Sequence, residues 1–452
     1  MIFDLVQLNK ESEMPLYRQL YEAFREAIET GQMPYGVKLP SIRKLSEDLK
    51  LSRTTVETAY QQLCVEGYIE SVPQSGYYVQ ARIKKIYDTE ENHKSVAAVQ
   101  DNKISYRYNL GSDCIDASAP DIKLWRSYIK EALKREKDLI SYGEPQGESV
   151  LREQLAIYGN GARGLHADSH NIVIGAGTQP LLYLLGGLLS PFGRKIAMES
   201  GGFARAEQVF EDCGYTLTHW NSDDNDFIKN LYASDVRIIF VNPSGNLRTG
   251  QPMRMNRRIE LLEWARQTNG IIIEDDYNGE LRYTAHPIPA LQASDEKRVI
   301  YIGSFSKLLL PSVRIGYMVL PDKLLESYRT KIHAYNQTAS KIEQTALAEY
   351  VRQGHLERRL RKLRKLYGEK SAMLISCLQK RFSSSMDITL HETSLYITVC
   401  LHDTKKDLCM AAQAEGVRVS EGENSTTVRL GFAGIALEDI SAAVDTLHHA
   451  WK

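Results

Sequence analysis

Cysteine is sparse in this chain of 452 residues, which has only six and no CxxC pair. That usage excludes a disulfide framework and fits thiols kept reduced in the cytoplasm.

Neither sign of charge is in excess. The chain has 56 Lys and Arg and 57 Asp and Glu, so bulk charge indicates neither a nucleic-acid nor a membrane partner. The longest apolar run, 181–189, is far shorter than the ~18 residues of a membrane span. The N-terminus lacks a signal-peptide pattern. We therefore expect a cytoplasmic protein without a membrane segment.

What the chain does contain is enough length for at least two domains. Residues 1–80 read as helices followed by a hairpin, and the polar, aperiodic stretch 81–104 reads as a linker. From 105 to 452, short β-rich runs alternate with helical segments. This alternation predicts an α/β domain with a mostly parallel sheet. Long charged helices and further strands after about residue 325 indicate a smaller C-terminal lobe.

The segment 40–80 predicts a helix-turn-helix followed by a wing. Ser41 and Ser52 are in the right place to cap two short helices separated by a tight turn, and a hairpin across 73–76 forms the wing. In such a unit the second helix enters a major groove, and Arg53 with its hydroxyl neighbours suits phosphate and base edges. A small helical interaction domain is the alternative. Residues 38–58 carry five basic and three acidic residues, a local net charge of +2 that favours DNA.

The motifs PLYRQLYEAFREAI, LPSIRKLSEDLKLSRTTVETAYQQL and EGYIESVPQSGYYV resemble the GntR-type winged helix in order over residues 14–80. The resemblance implies a double-stranded DNA operator as partner. The predicted DNA-contacting residues are Ser41, Arg43, Ser52, Arg53, Thr54, Thr55, Thr58, Tyr60, Ser75 and Gly76.

The second domain contains the groups that an aldehyde cofactor needs, spread over more than 100 residues. Pyridoxal phosphate requires a lysine for a Schiff base, a carboxylate at its ring nitrogen and donors for its phosphate. GSFSKLLLPSVRIG supplies Lys307 after a strand, with Arg314 seven residues on. IIIEDDYNGE supplies Asp275 after a buried run, and GAGTQP forms a strand-to-helix junction that favours a phosphate. Each piece is weak alone, but their shared place at predicted strand ends is not expected by chance.

From YGEPQGESVLREQLAIYGNGARGL to VRLGFAG, residues 105–440 resemble a fold-type-I aminotransferase, and the fusion resembles the MocR/GabR regulators. The resemblance implies that Lys307 forms the aldimine, Asp275 pairs with the pyridinium and Tyr277 donates to the ring hydroxyl oxygen. The remaining implied cofactor residues are Gly177, Thr178, Gln179, Ser304, Ser306 and Arg314. Arg429 is implied to bind an effector carboxylate. Tyr142 is implied to reach a neighbouring subunit's phosphate in a domain-swapped homodimer.

Two loops depart from the pattern of the relatives. In GGFARAE, Phe203 stands where a Tyr is usual and is expected to stack on the ring without a hydroxyl contact, while Arg205 keeps the basic position. The usual Pro-Thr-Gly turn is Leu-Arg-Thr-Gly here, with Asn246 upstream as a cofactor candidate and Arg248 facing the effector side. These changes leave the effector open.

Three functions fit these residues, and no metal is expected, because the HADSH segment (166–170) reads as a surface loop. The first is a regulator whose cofactor site senses an amino acid or amine, with no net turnover beyond aldimine formation or half of a transamination. The second is a working aminotransferase that uses an amino acid and a 2-oxo acid. The third is a sensor of pyridoxal phosphate itself. A complete winged helix has no role in turnover, and this favours a regulator.

Overall fold

The computed structural model of the protein divides into two compact units, Met1–Asn102 and Lys103–Lys452. The structure describes residues 8–9, 12, 14–80, 106–116, 122–200, 202–221, 224, 226–245, 251–276, 279–283, 288–391, 394–402 and 404–452. Within these ranges no helix is both long and apolar enough to cross a membrane. The predicted linker 81–104 lies outside the described residues. All six cysteines are free thiols.

The helices and strands follow one another in an order that separates an N-terminal helical unit from an alternating α/β unit. The helices are α1 Leu16–Glu29, α2 Ile42–Leu49, α3 Arg53–Val65, α4 Ile122–Leu133, α5 Glu136–Leu139, α6 Ser149–Arg163, α7 Thr178–Leu188, α8 Ala204–Asp212, α9 Phe227–Ala233, α10 Met255–Thr268, α11 Asp322–Lys331, α12 Lys341–Arg352, α13 His355–Phe382, α14 Leu408–Ala414 and α15 Ile440–Trp451. The strands are β1 Ile69–Val72, β2 Gly76–Val79, β3 Tyr108–Asn109, β4 Ile172–Gly175, β5 Lys195–Glu199, β6 Thr216–Trp220, β7 Ile238–Val241, β8 Ile271–Asp276, β9 Val299–Ser304, β10 Gly316–Val319, β11 Met386–Leu390, β12 Tyr396–Leu401, β13 Val417–Arg418, β14 Ser420–Glu421 and β15 Thr427–Gly431.

The first unit is the predicted winged helix. Helices α1, α2 and α3 enclose a small core, and β1 pairs antiparallel with β2 to form the wing. Tyr60 lies at the centre of this core, edge-on to Phe24 with ring centroids 5.7 Å apart and to Tyr77 at 4.9 Å. Lys50 ends α2 with φ +49°, in the left-handed region that closes a helix C-terminus. That conformation makes the turn between α2 and α3 tight.

The second unit is built on a seven-stranded sheet, counted over the described residues, in the order β4-β10-β9-β8-β7-β5-β6. The pairs among β5–β9 are parallel, and β10 alone runs antiparallel to its neighbours β4 and β9. The predicted mostly parallel sheet is therefore confirmed as a mixed sheet with one reversed strand. Because β4 and β9 both oppose β10, the carboxyl ends of every other strand meet at one edge, where ligands bind in such sheets.

Close glycine packing brings strand ends together at that edge. Gly316 pairs with Gly175 on one side and with Ser304 on the other. A Cβ on Gly316 would lie 3.1 Å from the backbone of Gly177 and 3.3 Å from the carbonyl oxygen of Gly303. Larger residues would therefore separate the ends of β4, β9 and β10.

The C-terminal lobe has a four-stranded antiparallel sheet among the described residues, in the order β11-β12-β15-β14. Its inner face contributes Ile397, Val399 and Leu430 to the same hydrophobic core as residues of the long helix α13 and of α15. Its other face carries Thr398, which pairs directly with Arg429.

Candidate functional site

The N-termini of α2 and α3 have the side-chain caps that the sequence predicts. The Ser41 hydroxyl accepts a hydrogen bond from the Lys44 backbone N–H at 3.2 Å, and that of Ser52 accepts from the Thr55 N–H at 3.1 Å. A cap of this kind stabilises a helix by about 1 kcal/mol. The caps therefore fix where α3, the predicted recognition helix, begins.

The predicted DNA-contacting side chains fall mostly on the surface of the first unit. Ser41, Arg43, Ser52, Arg53, Thr54, Thr58 and Ser75 are exposed, and Thr55 and Gly76 are half-buried. Arg43 is held by Glu47 one turn away at 3.0 Å. No described acidic side chain forms an ion pair with Arg53. Among the predicted arginines, Arg53 is thus the better placed for a phosphate or a base.

Tyr60 does not belong to this surface, and its assignment as a DNA contact is wrong. Its side chain is 0% exposed, and its hydroxyl donates to the Pro40 carbonyl oxygen at 3.0 Å. The inward face of α3 explains the error, because Tyr60 follows Val56 by one helical turn and shares its buried side.

The wing tip is compact. The Ser75 and Tyr78 hydroxyls lie 2.7 Å apart, and Gly76 has φ +115°. A Cβ at Gly76 would lie 3.3 Å from Cε of Lys38. The wing tip therefore places a lysine and two hydroxyls near one another on the surface of this unit.

In the second unit, Asp275 is one of several buried carboxyl groups at the carboxyl edge of the sheet. It is next to last in β8 and pairs with Ile302 of β9. No described residue donates a hydrogen bond to its side chain. Burial first, and then the neighbouring charges of Asp276 and Glu274, raise its pKa to about 7. A carboxyl group in this state gains most from a cationic hydrogen-bond donor.

Lys307 lies just beyond the end of β9, three residues after Ser304. The hydroxyl groups of Ser304 and Ser306 lie 3.3 Å apart, and Arg314 donates to the Ser306 hydroxyl at 3.3 Å. Arg314 has φ +49°, a left-handed conformation that turns the chain back into β10. The β9–β10 connection therefore gathers one lysine, two hydroxyls and a guanidinium.

The N-terminus of α7 faces the same connection. Its N-cap Gly177 has φ +90° and no side chain to accept from the first-turn N–H groups of the helix. A Cβ there would lie 2.8 Å from Nη2 of Arg314. Thr178 and Gln179, the first two residues of α7, are half-buried. Uncapped N–H groups beside a guanidinium are a site for an anion such as phosphate.

Other predicted site residues lie at varied depths. Tyr142 is fully exposed, at 104%. Phe203 is half-buried at the start of α8, and Arg205 is exposed. Asn246 and Tyr277 lie outside the described residues, as does Arg248.

Arg429, the predicted effector residue, is on the open face of the small sheet. Its guanidinium carbon lies 5.9 Å from the centroid of the Tyr396 ring, a cation–π contact that uses none of its N–H donors. Tyr396 contacts His391 on another side, at 4.8 Å between centroids. Burial first, and then Arg429, lower the pKa of His391 to about 4. No described carboxylate pairs with Arg429, so its donors are available to a ligand.

Two residues near the carboxyl edge of the seven-stranded sheet were not predicted from the sequence. Thr338 accepts a hydrogen bond from the Ala176 N–H at 2.9 Å, which holds the loop before α7. Arg163 is a buried arginine that contacts Asp276 at 2.7 Å. A signal for Arg163 existed, because it follows Leu151, Leu155 and Gly159 at four-residue steps and so lies on the buried face of α6. Nothing local indicates Thr338.

The residues at this edge fit pyridoxal phosphate. Asp275 is a buried carboxylate without a described donor, as a ring nitrogen requires. Gly177 leaves the room beside Arg314 that a side chain would fill. Lys307 is the lysine on the same edge. Donor, acceptor and nucleophile types therefore all match the group.

Comparisons with known proteins agree with the folds described for both units. The model of the family "Bacterial regulatory proteins, gntR family" matches residues 16–79. The chain is 36% identical to the uncharacterized HTH-type transcriptional regulator YdeL of Bacillus subtilis, with 98% of each chain covered. It is 28% identical to the probable rhizopine catabolism regulatory protein MocR of Rhizobium meliloti, over 99% of this chain and 96% of that one. It is 29% identical to the HTH-type pyridoxine biosynthesis transcriptional regulator PdxR of Corynebacterium glutamicum, over 83% and 81%.

Among solved structures, aminotransferases share the fold of the second unit. An archaeal alanine:glyoxylate aminotransferase matches with a TM-score of 0.68 and 25% identity, over 76% of this chain and 90% of that one. The kynurenine aminotransferase of Pyrococcus horikoshii, solved with PMP, matches with a TM-score of 0.66 and 25% identity over the same shares.

A winged helix joined to an aminotransferase-like domain defines a DNA-binding transcription regulator that has an enzyme fold as its second domain. The chain belongs to the MocR type of GntR-family regulators, and the comparisons imply pyridoxal phosphate as its cofactor.

Proposed function

We propose that the chain is a homodimeric regulator in the cytoplasm that senses an amino acid or amine at the Lys307 site. Binding of this effector changes the affinity of the dimer for an operator with two half-sites. The observation that supports this proposal most is the environment of the Arg429 guanidinium. Its guanidinium is oriented by the Tyr396 ring while its donors stay available, an arrangement that suits bidentate binding of a carboxylate.

Each residue has a distinct task in this proposal. Pyridoxal phosphate, when bound, supplies the electrophilic carbon that an amine attacks. Lys307 would hold the cofactor through its side-chain amine, and Asp275 would accept a hydrogen bond from the protonated ring nitrogen. Arg314, with the N-terminus of α7, holds the phosphate, while Arg429 selects ligands with a carboxylate.

A dimer follows from the operator that such a module reads. Two winged helices contact two half-sites, spaced by multiples of about 34 Å along the DNA. The fully exposed Tyr142 is the residue proposed to reach the partner's phosphate. Coupling of effector to DNA requires that the effector bind the two arrangements of the dimer with different affinities.

A working aminotransferase is the second candidate, favoured by the presence of Asp275, Lys307 and Arg429 together. A third candidate is a sensor of pyridoxal phosphate itself, which the name of the PdxR relative suggests. In that case cofactor alone changes DNA affinity and no amine is needed.

One experiment separates the three. The visible spectrum of the holoprotein is recorded while amino acids and amines are added, and 2-oxo acid formation and operator affinity are measured in the same samples. A compound that shifts the band, holds it and changes operator affinity supports the proposal. Continuous 2-oxo acid production indicates the aminotransferase, and an operator response to cofactor alone indicates the cofactor sensor.

Matched variants assign the roles of the residues. Lys307→Ala is expected to lose the visible band. Arg429→Met is expected to weaken carboxylate ligands and leave simple amines unaffected. Arg418→Met is its control, because Arg418 lies on the same lobe but already pairs with Asp113 at 2.9 Å. Equal losses in the two arginine variants would contradict the role of Arg429.

A further inference from the structure

Arg163, the last residue of α6, is a buried arginine whose donors reach three separate segments. Its side chain is 0% exposed. Nε donates to Asp276 at 2.7 Å, Nη2 to the Ser244 hydroxyl at 2.8 Å and Nη1 to the Ile288 carbonyl oxygen at 2.5 Å. These partners belong to the end of β8, to the loop after β7 and to the segment that precedes β9. One guanidinium therefore ties together the chain on both sides of Asp275.

Asp276 is the charged partner in this arrangement and the direct neighbour of Asp275. Its Oδ2 also accepts from the Tyr301 hydroxyl at 2.7 Å. Gly279 makes the contact possible, because a Cβ there would lie 2.1 Å from Oδ1 of Asp276 and 2.7 Å from Nη2 of Arg163. The ion pair thus forms in a space from which any larger side chain is excluded.

Titratable groups reach this region from every neighbouring element. They are Glu274 on β8 itself, Glu280 from the turn after it, Tyr158 and Arg163 from α6, Arg258 from α10, Arg364 from α13, Tyr301 from β9 and Tyr317 from β10. Burial by itself would lower the pKa of Arg163, but Asp276 and the other acidic groups raise it, so Arg163 stays charged. Asp275, Asp276, Glu274 and Glu280 therefore share three guanidinium groups, and among the described residues only that of Arg163 forms an ion pair with one of these carboxylates.

Arg258 provides a natural comparison. It is also buried, and it donates to the carbonyl oxygens of Met253, Pro289 and Pro243. It thus joins the same two loops as Arg163, after β7 and before β9, but forms no ion pair with a carboxylate of the described residues. Any purely mechanical effect of clamping these loops should be common to both arginines.

We infer that Arg163 is a positioning residue for the cofactor-facing carboxylate: by pairing with Asp276 it fixes the end of β8 and balances the charge behind Asp275. This inference rests on the proposed role of Asp275 toward pyridoxal phosphate. Without Arg163, the charge of Asp276 opposes ionisation of Asp275. Without Asp276, the charge of Arg163 favours it.

The test is the pH dependence of pyridoxal phosphate binding to the apoprotein, followed by absorbance. Because Asp275 must lose its proton to accept from a protonated ring nitrogen, affinity falls as the pH drops through its pKa of about 7. Arg163→Met should move the midpoint up by about one pH unit, and Asp276→Asn should move it down by about as much. The double variant should return it toward the wild-type value.

The outcomes are distinct. Opposite shifts support the inference, and Arg163→Lys, which keeps the charge, should stay near the wild-type midpoint. If Arg163→Met does not fold, as judged by thermal unfolding, the direction of the Asp276→Asn shift decides. Equal, pH-independent losses in Arg163→Met and Arg258→Met, or an unmoved midpoint in Asp276→Asn, would overturn it. A wild-type protein that binds no cofactor would instead overturn the proposed function.

Discussion

The two candidate sites of this protein are built in opposite ways. On the winged helix, the functional side chains are exposed and hydrogen-bond within a few residues, as Ser52 does with Thr55 and Thr58 with Thr54. At the cofactor edge, the acidic end of β8 is buried and its charged partner is distant in sequence: Arg163 and Asp276 are 113 residues apart. The first site consists of side chains on the surface of a small core, whereas the acidic end of β8 in the second site belongs to the core itself.

This difference has energetic consequences. An exposed group that loses a partner is solvated by water, so its loss affects binding far more than folding. A buried carboxylate or arginine without a partner carries a desolvation penalty of several kcal/mol. Substitutions at the DNA surface should therefore separate binding from stability, whereas those at the cofactor edge should change both.

The largest expected effect tests the boundary between surface and core in the first unit. Tyr60→Ala removes the ring that packs on Phe24 and Tyr77, and should destabilise this unit by about 3–5 kcal/mol. Denaturant unfolding measures it. Tyr60→Phe, which loses only the bond to Pro40, is the control and should keep wild-type operator affinity. A large loss of operator affinity in Tyr60→Phe would indicate that the Tyr60 hydroxyl contacts DNA after all.

The next effect concerns Asp275 in the second unit. Asp275→Asn removes a charge-assisted hydrogen bond to the cofactor's ring nitrogen, worth about 1.5–3 kcal/mol. Affinity for pyridoxal phosphate, measured by absorbance titration, should fall about 10- to 100-fold. Operator binding by the apoprotein should be unchanged. An unaltered cofactor affinity would contradict the assignment.

His391 gives a prediction for stability against pH. Its pKa is about 4 in the folded protein, against 6.5 as the ordinary value. The unfolded chain therefore binds the proton first, and the contribution of a neutral His391 is lost as the pH falls from 6.5 toward 4. At pH 5 the loss should be about 2 kcal/mol.

The comparison variant for this loss is His391→Gln. Wild-type and variant unfolding free energies are measured at pH 7 and pH 5, and the difference between them isolates His391 from Glu274, Asp275 and Glu280, which also titrate here. Parallel losses in the two proteins would show that His391 does not titrate as described.

The smallest effect is on the DNA surface. Arg53→Ala should lower the slope of log affinity against log salt by about one if it binds a phosphate, or cost about 1–3 kcal/mol at one base pair if it reads a base. Arg43→Ala is the matched control, because Arg43 is already paired with Glu47. Binding is measured on an operator fragment at several salt concentrations. A larger effect on operator binding from Arg43→Ala than from Arg53→Ala would show that Arg43, not Arg53, is the more important DNA contact.

Sequence patterns predicted much of both units, and their errors are instructive. Ser41 and Ser52 were assigned as caps from local spacing, and the structure confirms both. Tyr60 was assigned to DNA although its helical spacing from Val56 already placed it inside. Arg163 was missed because its partners Asp276, Ser244 and Ile288 are reached only after the chain has crossed the sheet several times.

The amino-acid sequence by itself determined the local features of this protein: the caps and turn of the winged helix, the strand pattern, and the chemical types at positions 275, 307, 314 and 429. These follow from short-range periodicity and from family resemblance. Only the tertiary structure decided the reversed strand β10, the aromatic support of Arg429 and the pairing of Arg163 with Asp276. The physical reason is that burial, and the charge balance that burial demands, depend on contacts between residues far apart in the chain.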